Sequence, residues 1–123
     1  MSEMINWTVA ARATGGPVVT AAGALPADAY DKLEVAIPSA TPHAVNVAPG
    51  NWTSVLFLAL NPTPASDKLT YKVNNVDIAI DGPHFLIGPG AVALLGSGAA
   101  SLNITNASGA DATIDILVGR KSA

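Results

Sequence analysis

Cysteine is absent from this chain. That excludes a disulfide framework and any thiolate metal site, so the fold has to be held by packing, backbone pairing or subunit association. Aromatic residues make up only 5% of a sequence that is 50% hydrophobic, so the core must be aliphatic, built from Val, Ile, Leu and Ala. Charge is scarce as well. A soluble surface ordinarily carries roughly a quarter to a third ionic residues, whereas the share here is 12%, and the stretches Val35 to Ser66 and Gly82 to Ala110 contain no Asp, Glu, Lys or Arg. Much of the chain must therefore lie inside, face a partner, or present Ser, Thr, Asn and Ala to water. The economical way to hide so much neutral surface is assembly.

The basic residues are six in number, Arg12, Lys32, Lys68, Lys72, Arg120 and Lys121, and the formal net charge is −3. They form no stripe able to follow a phosphate backbone, which argues against nucleic acid as a partner. Long hydrophobic runs are missing too, although mean hydropathy is positive. The densest, Val55 to Leu60, falls far short of the ~20 residues of a membrane-spanning helix and is ended by Asn61-Pro62-Thr63-Pro64, so no membrane partner is expected. The start, Met1-Ser2-Glu3-Met4-Ile5-Asn6-Trp7, has neither a basic n-region nor an apolar h-region. No secretion signal is expected, and the location reads as cytoplasmic unless the chain is encoded by a phage. At 123 residues the length fits one domain, residues 1–123.

What the sequence does have is period-two patterning. Ile5, Trp7, Val9 and Ala11 alternate with polar or small neighbours, as do Leu33, Val35 and Ile37; Val45 and Val47; Leu69, Tyr71 and Val73; Val76, Ile78 and Ile80; Leu102 and Ile104; and Ile114, Ile116 and Val118. Between these runs stand Gly15-Gly16-Pro17, Pro38, Pro42, Pro49-Gly50, Asn74-Asn75, Gly82-Pro83, Gly88-Pro89-Gly90, Gly96-Ser97-Gly98 and Ser108-Gly109. Each is a turn signal with a mechanism: Pro fixes φ and lacks a ladder donor, while Gly and Asn accept positive φ. The spacing predicts an all-β fold, an antiparallel sandwich of jelly-roll type with about eight short strands. The best helical candidate, Pro26 to Leu33, is one or two turns long. Two segments, Val55 to Leu60 and the pair Phe85 to Ile87 with Ala91 to Leu95, are apolar without alternation and so read as strands covered on both faces. In a two-layer sandwich the second face needs a further partner. In Val55 to Leu60, the set Leu56, Leu58 and Leu60 is expected to face the core and Val55 and Phe57 a partner. Phe85 and Ile87 complete the candidate interface.

The candidate chemistries are weaker than this architecture. Asp81 to Gly90 looks like the turn that cupin barrels place near a metal, but a catalytic metal needs about three converging ligands, and the chain offers two histidines, His43 and His84, and the glutamates Glu3 and Glu34. Ser97 sits in a glycine turn without the Gly-x-Ser-x-Gly elbow of a nucleophile. Asp77 with Asp81 and Asp111 with Asp115 are carboxylates spaced by four, a spacing that shares one face of a strand; solvating the sheet is the plainer role. Asn-Trp-Thr occurs at Asn6 and again at Asn51, with nothing around the copies that aligns. Four glycosylation sequons begin at Asn6, Asn51, Asn103 and Asn106, as an Asn/Thr-rich β protein produces by chance. No catalytic residue, metal site or cofactor is assigned, and the chain reads as a non-enzyme.

The Gly/Pro-punctuated strands from Asp81 to Leu95, the Asn/Thr/Ser/Ala-rich Ser101 to Thr113 and the closing strand Ile114 to Arg120 resemble small phage virion proteins of the capsid decoration or cement type. That resemblance implies a structural protein on the virion surface that associates with itself as a trimer and clamps a larger protein shell such as a capsid. The alternative is a carbohydrate-binding sandwich module of lectin or adhesin type, with ligand contacts at Trp52, Asn74, Asn75 and Asp77, because flat aromatics stack on sugars. A cupin-type enzyme is the third reading.

Overall fold

The computed structural model describes residues 3–40 and 42–121. Strands take 69% of the described residues and helix 8%, so the all-β expectation holds. The strands are β1 (Glu3–Arg12), β2 (Val18–Ala27), β3 (Ala29–Ile37), β4 (His43–Asn51), β5 (Val55–Thr63), β6 (Ser66–Val73), β7 (Val76–Ile80), β8 (His84–Ile87), β9 (Ala99–Asn106) and β10 (Ala112–Arg120). Two four-stranded sheets, ordered β3-β10-β5-β8 and β4-β9-β6-β7, form the sandwich, and β1-β2 is a separate two-stranded ribbon. β3 pairs with β10, β4 with β9, β5 with β8 and β6 with β7, all antiparallel. These nested pairs are one long hairpin wound around the core, and the β5–β10 and β6–β9 pairings close it. This is jelly-roll connectivity. At the hairpin's innermost turn, Asn74 and Asn75 both have positive φ, 51° and 66°, the two-residue geometry whose twist matches flanking strands.

The inner faces meet in an aliphatic core that includes Ile37, Leu58, Leu60, Leu69, Ile80, Ile104, Ile114, Ile116 and Val118. Alternation explains most of it, but β5 breaks phase. Phe57 lies opposite Gly119 while Val55 lies opposite Arg120, so Leu56 is an extra residue, a β-bulge. Val55 therefore shares the core with Leu58 and Leu60, whereas Leu56 packs on the opposite side with Phe57 and Ala59. The expected face assignment is corrected at two positions: Val55 is core, and Leu56 is not.

The segment Pro26 to Leu33, expected to be helical, is instead the end of β2 and the start of β3. Conversely Ala91 to Leu95, expected as strand, forms an α-turn, α1 (Pro89–Val92), followed by a 3-10 turn, Ala93–Leu95. Gly88, with φ of 96°, turns the chain and Pro89 opens the helix, the position at which its missing N–H costs nothing. Val92 is thereby driven into the core. No helix among the described residues is long and apolar enough to cross a membrane.

Candidate functional site

The surface that stands out is the β1-β2 ribbon together with the sheet face beneath it. Odd-numbered residues of the ribbon share one side, and they are almost all apolar: Ile5, Trp7, Val9 and Ala11 face across to Leu25, Gly23, Ala21 and Val19. The even side carries Asn6, Thr8, Thr20 and Arg12. At its base the apolar side is docked. Ile5 and Ala27 are buried against Phe57 and Ala59, with Trp7, Leu25, Ile87 and Leu117 packed around them. Phe57, expected to meet another subunit, is thus covered by this chain's own ribbon.

Two glycines make the docking possible through close approach. A Cβ on Gly119 would overlap Ile5 Cδ1, and Ala27 Cβ would stand 3.6 Å from it. Ile5 therefore rests directly on the β10 backbone. Within the ribbon, a Cβ on Gly23 would lie 2.9 Å from Trp7 Cζ2, so the indole lies flat over its cross-strand partner and substitutes for the missing side chain.

Beyond Trp7 the ribbon leaves the body. Residues 8–24 are all exposed, and the five residue pairs from Thr8↔Ala22 to Arg12↔Val18 carry it roughly 17 Å further at ~3.3 Å per residue. Val19 on its apolar side is 72% exposed. Both edges of this stretch are free, and an isolated two-stranded hairpin is marginal in water.

The sheet face under the ribbon continues past it. Along β10 the outward residues are Thr113, Asp115 and Leu117; register sets Leu117 beside Lys32 and Ala59, and Asp115 beside Glu34 and Asn61. A depression of about 280 Å³ lined by Met4, Ile5, Asn6, Tyr30 and Leu117 runs along the seam with the ribbon. Tyr30 is 54% exposed there. Next to it, Glu34 and Asp115 are like charges directly across a strand pair, which is unfavourable unless compensated. The ion pairs among the described residues are Lys72–Asp77 at 2.9 Å and Arg120–Asp31 at 3.7 Å, so neither carboxylate has a cation, and Arg12 has no carboxylate.

The residues read from the sequence as ligand contacts are dispersed in role. Trp52, expected to be exposed, is buried in the core at 4% exposure, because its one-turn 3-10 helix folds it inward and its backbone N–H donates to Gly98 O at 3.0 Å. Asn74 and Asn75 form the β6–β7 turn, with Asn74 Oδ1 close to Gly96, and Asp77 pairs with Lys72. Of the expected interface residues, Phe85 is exposed and Ile87 is half-buried under the ribbon. His43 and His84 lie on β4 and β8, edge strands of different sheets. His84 Nδ1 stands 2.9 Å from Tyr71 Oη. Burial raises the Tyr71 phenol above its ordinary value, so it stays protonated, and the histidine tautomer sets which partner donates. Among the described residues no three His, Asp or Glu side chains cluster as metal ligands. Asp111 Oδ1 accepts from Ser39 N at 3.1 Å, while Asp115 is on the outer face of β10, so that carboxylate pair is not one site. Trp7 is in a strand and Trp52 in a turn, so the Asn-Trp-Thr copies are not a structural repeat.

Comparison with protein-family models, curated proteins and solved structures finds no match to this chain. The ribbon and its seam were missed in the sequence because β2, Val18–Ala27, is mostly Ala, Gly and Thr with a proline. The available signal was the Gly15-Gly16-Pro17 turn, which implies a strand on each side.

Proposed function

We propose that this chain is a non-enzymatic structural subunit that associates with itself and decorates or stabilises a larger protein shell, a phage capsid at the virion surface. The observation that carries the reading is the projecting ribbon, an apolar β surface with two free edges that the monomer leaves in water. Such a surface is a hazard to a free monomer and an asset to an assembly subunit. The charge-free stretches support the same reading, since neutral Ser, Thr, Asn and Ala surface tiles against protein without desolvating ions. Jelly rolls serve capsids, lectins and cupins alike, so the fold does not choose among them. Two details weigh against the alternatives: Trp52, the aromatic expected to stack on a sugar, is buried, and His84, one of the two histidines a cupin metal would need, has its Nδ1 engaged with Tyr71.

The test has two arms. Light scattering on the pure chain should give a discrete oligomer, and shells lacking the chain should bind it stoichiometrically and melt at higher temperature once they do. A monomer at all concentrations removes the self-association, and shells that neither bind nor gain stability remove the shell partner.

A further inference from the structure

We propose that the distal half of the β1-β2 ribbon is an assembly arm whose occupant is a second copy of this chain: its apolar side docks into the seam lined by Met4, Tyr30 and Leu117, and Arg12 at its tip meets Glu34 and Asp115. The inference rests on the reading of a self-associating subunit and specifies which surfaces meet. The first argument is continuity. The arm's base, through Ile5, Trp7, Leu25 and Ala27, already packs on this face of the sheet, and the exposed part presents more of the same side, Val9, Ala11, Val19 and Ala21. The receiving surface likewise continues from the docked patch at Leu117 into the open seam.

Charge complementarity is the second argument. Glu34 and Asp115 face one another across the strand pair without a cation, although Lys32 shares their face. The arm's charges are Glu3 at its docked base and Arg12 at its tip, so Arg12 is its only cation. One chain thus carries both an arm whose one cation, Arg12, stands at the tip on the side opposite the apolar residues, so that its long side chain reaches round the strand edge, and an apolar seam ending in a free carboxylate pair. The contact is heterologous, arm onto body: reciprocal exchange closes a dimer, and passing each arm to the next copy closes a ring.

Four full-length variants test this by light scattering and sedimentation. Val19→Asp spoils the arm and Tyr30→Asp the seam, each at a position exposed in the monomer, so dilute thermal melts should match the wild type. Each alone should weaken association ~100-fold, because it buries an unpaired carboxylate. Mixing the two should recover one contact per pair, seen as a heterodimer that grows no further, since the Tyr30→Asp arm fits the Val19→Asp seam while the reverse pairing is spoiled twice. Arg12→Glu should weaken association, and Arg12→Glu combined with Glu34→Arg should recover it. If the wild type associates but Val19→Asp and Tyr30→Asp leave its mass unchanged, the arm is not the contact. If Val19→Asp dissociates it while Tyr30→Asp does not, the arm meets something other than the seam, and the assignment is overturned while self-association stands. A monomeric wild type overturns both.

Discussion

Gly119 is where the two parts of the molecule meet, since Ile5 occupies the space a side chain there would fill. Ile5 can rotate its terminal methyl away from a single added carbon, but not from a β-branched side chain. Gly119→Val is therefore expected to lift the ribbon base, lower stability by about 1–3 kcal/mol, and red-shift the emission of Trp7 while Trp52 stays buried. A wild-type melt and spectrum would show that Ile5 does not rest on this backbone. Asn106 is a residue of the opposite kind, a fully buried polar side chain with every hydrogen-bonding position used. Its Nδ2 donates to Ile37 O at 3.0 Å and Ala110 O at 2.8 Å, and its Oδ1 accepts from Ser108 N at 3.0 Å and Ser108 Oγ at 2.6 Å. The two carbonyls and the amide N–H allow only this orientation of the side chain. Asn106→Ala takes these partners from Ile37 O and Ser108 N, while Ala110 O keeps the Ser108 hydroxyl at 3.0 Å, and should cost about 2–4 kcal/mol, measured by denaturant unfolding; a cost near zero would mean water replaces the amide. From sequence Asn106 is merely the start of a sequon, because nothing local distinguishes a buried Asx turn from an exposed acceptor.

At the scale of elements, β5 shows what periodicity can and cannot reveal. Its doubly apolar character was legible, as was the need to cover both faces. The identity of the cover was not, because the ribbon reaches β5 from the other end of the chain. Nor was the bulge at Leu56, which depends on how β10 ends at Gly119 and Arg120. The β8–β9 connection misled for a related reason: Ala91 to Leu95 is apolar enough for a buried strand, and only the preceding Gly88-Pro89 favours the helical turn that seats Val92. The two faces of β5 predict separable outcomes. Leu58→Ala opens a cavity in the sandwich core and should cost about 2–5 kcal/mol of global stability. Phe57→Ser removes the floor under Ile5 and Trp7, so it should release the ribbon while the sandwich still melts cooperatively, seen as fast amide exchange in β1 and β2 with β10 protected. If Phe57→Ser exposes β10 as readily as Leu58→Ala does, the ribbon and the sandwich are one cooperative unit.

For the whole molecule, the sandwich class could be read from period-two runs and turn signals, but neither the full set of ten strands nor the winding could. Nesting β3 with β10 and β4 with β9 joins strands from opposite ends of the chain, and no local pattern encodes such pairings. The sandwich core includes no ribbon residue, which divides the packing into a jelly-roll core and an appended arm. Native-state hydrogen exchange should record that division. In dilute solution the inner strands β5, β9 and β10 should exchange only through global unfolding, whereas ribbon amides beyond Trp7 should exchange orders of magnitude faster, because a lone hairpin opens locally. Raising the protein concentration should slow the ribbon amides alone, by the factor that mass action predicts for an arm sequestered in a contact. Ribbon amides as slow as β10 at the highest dilution would mean that the arm is stable by itself and needs no partner. Ribbon amides that stay fast at every concentration would mean that whatever assembles this protein does not hold its arm.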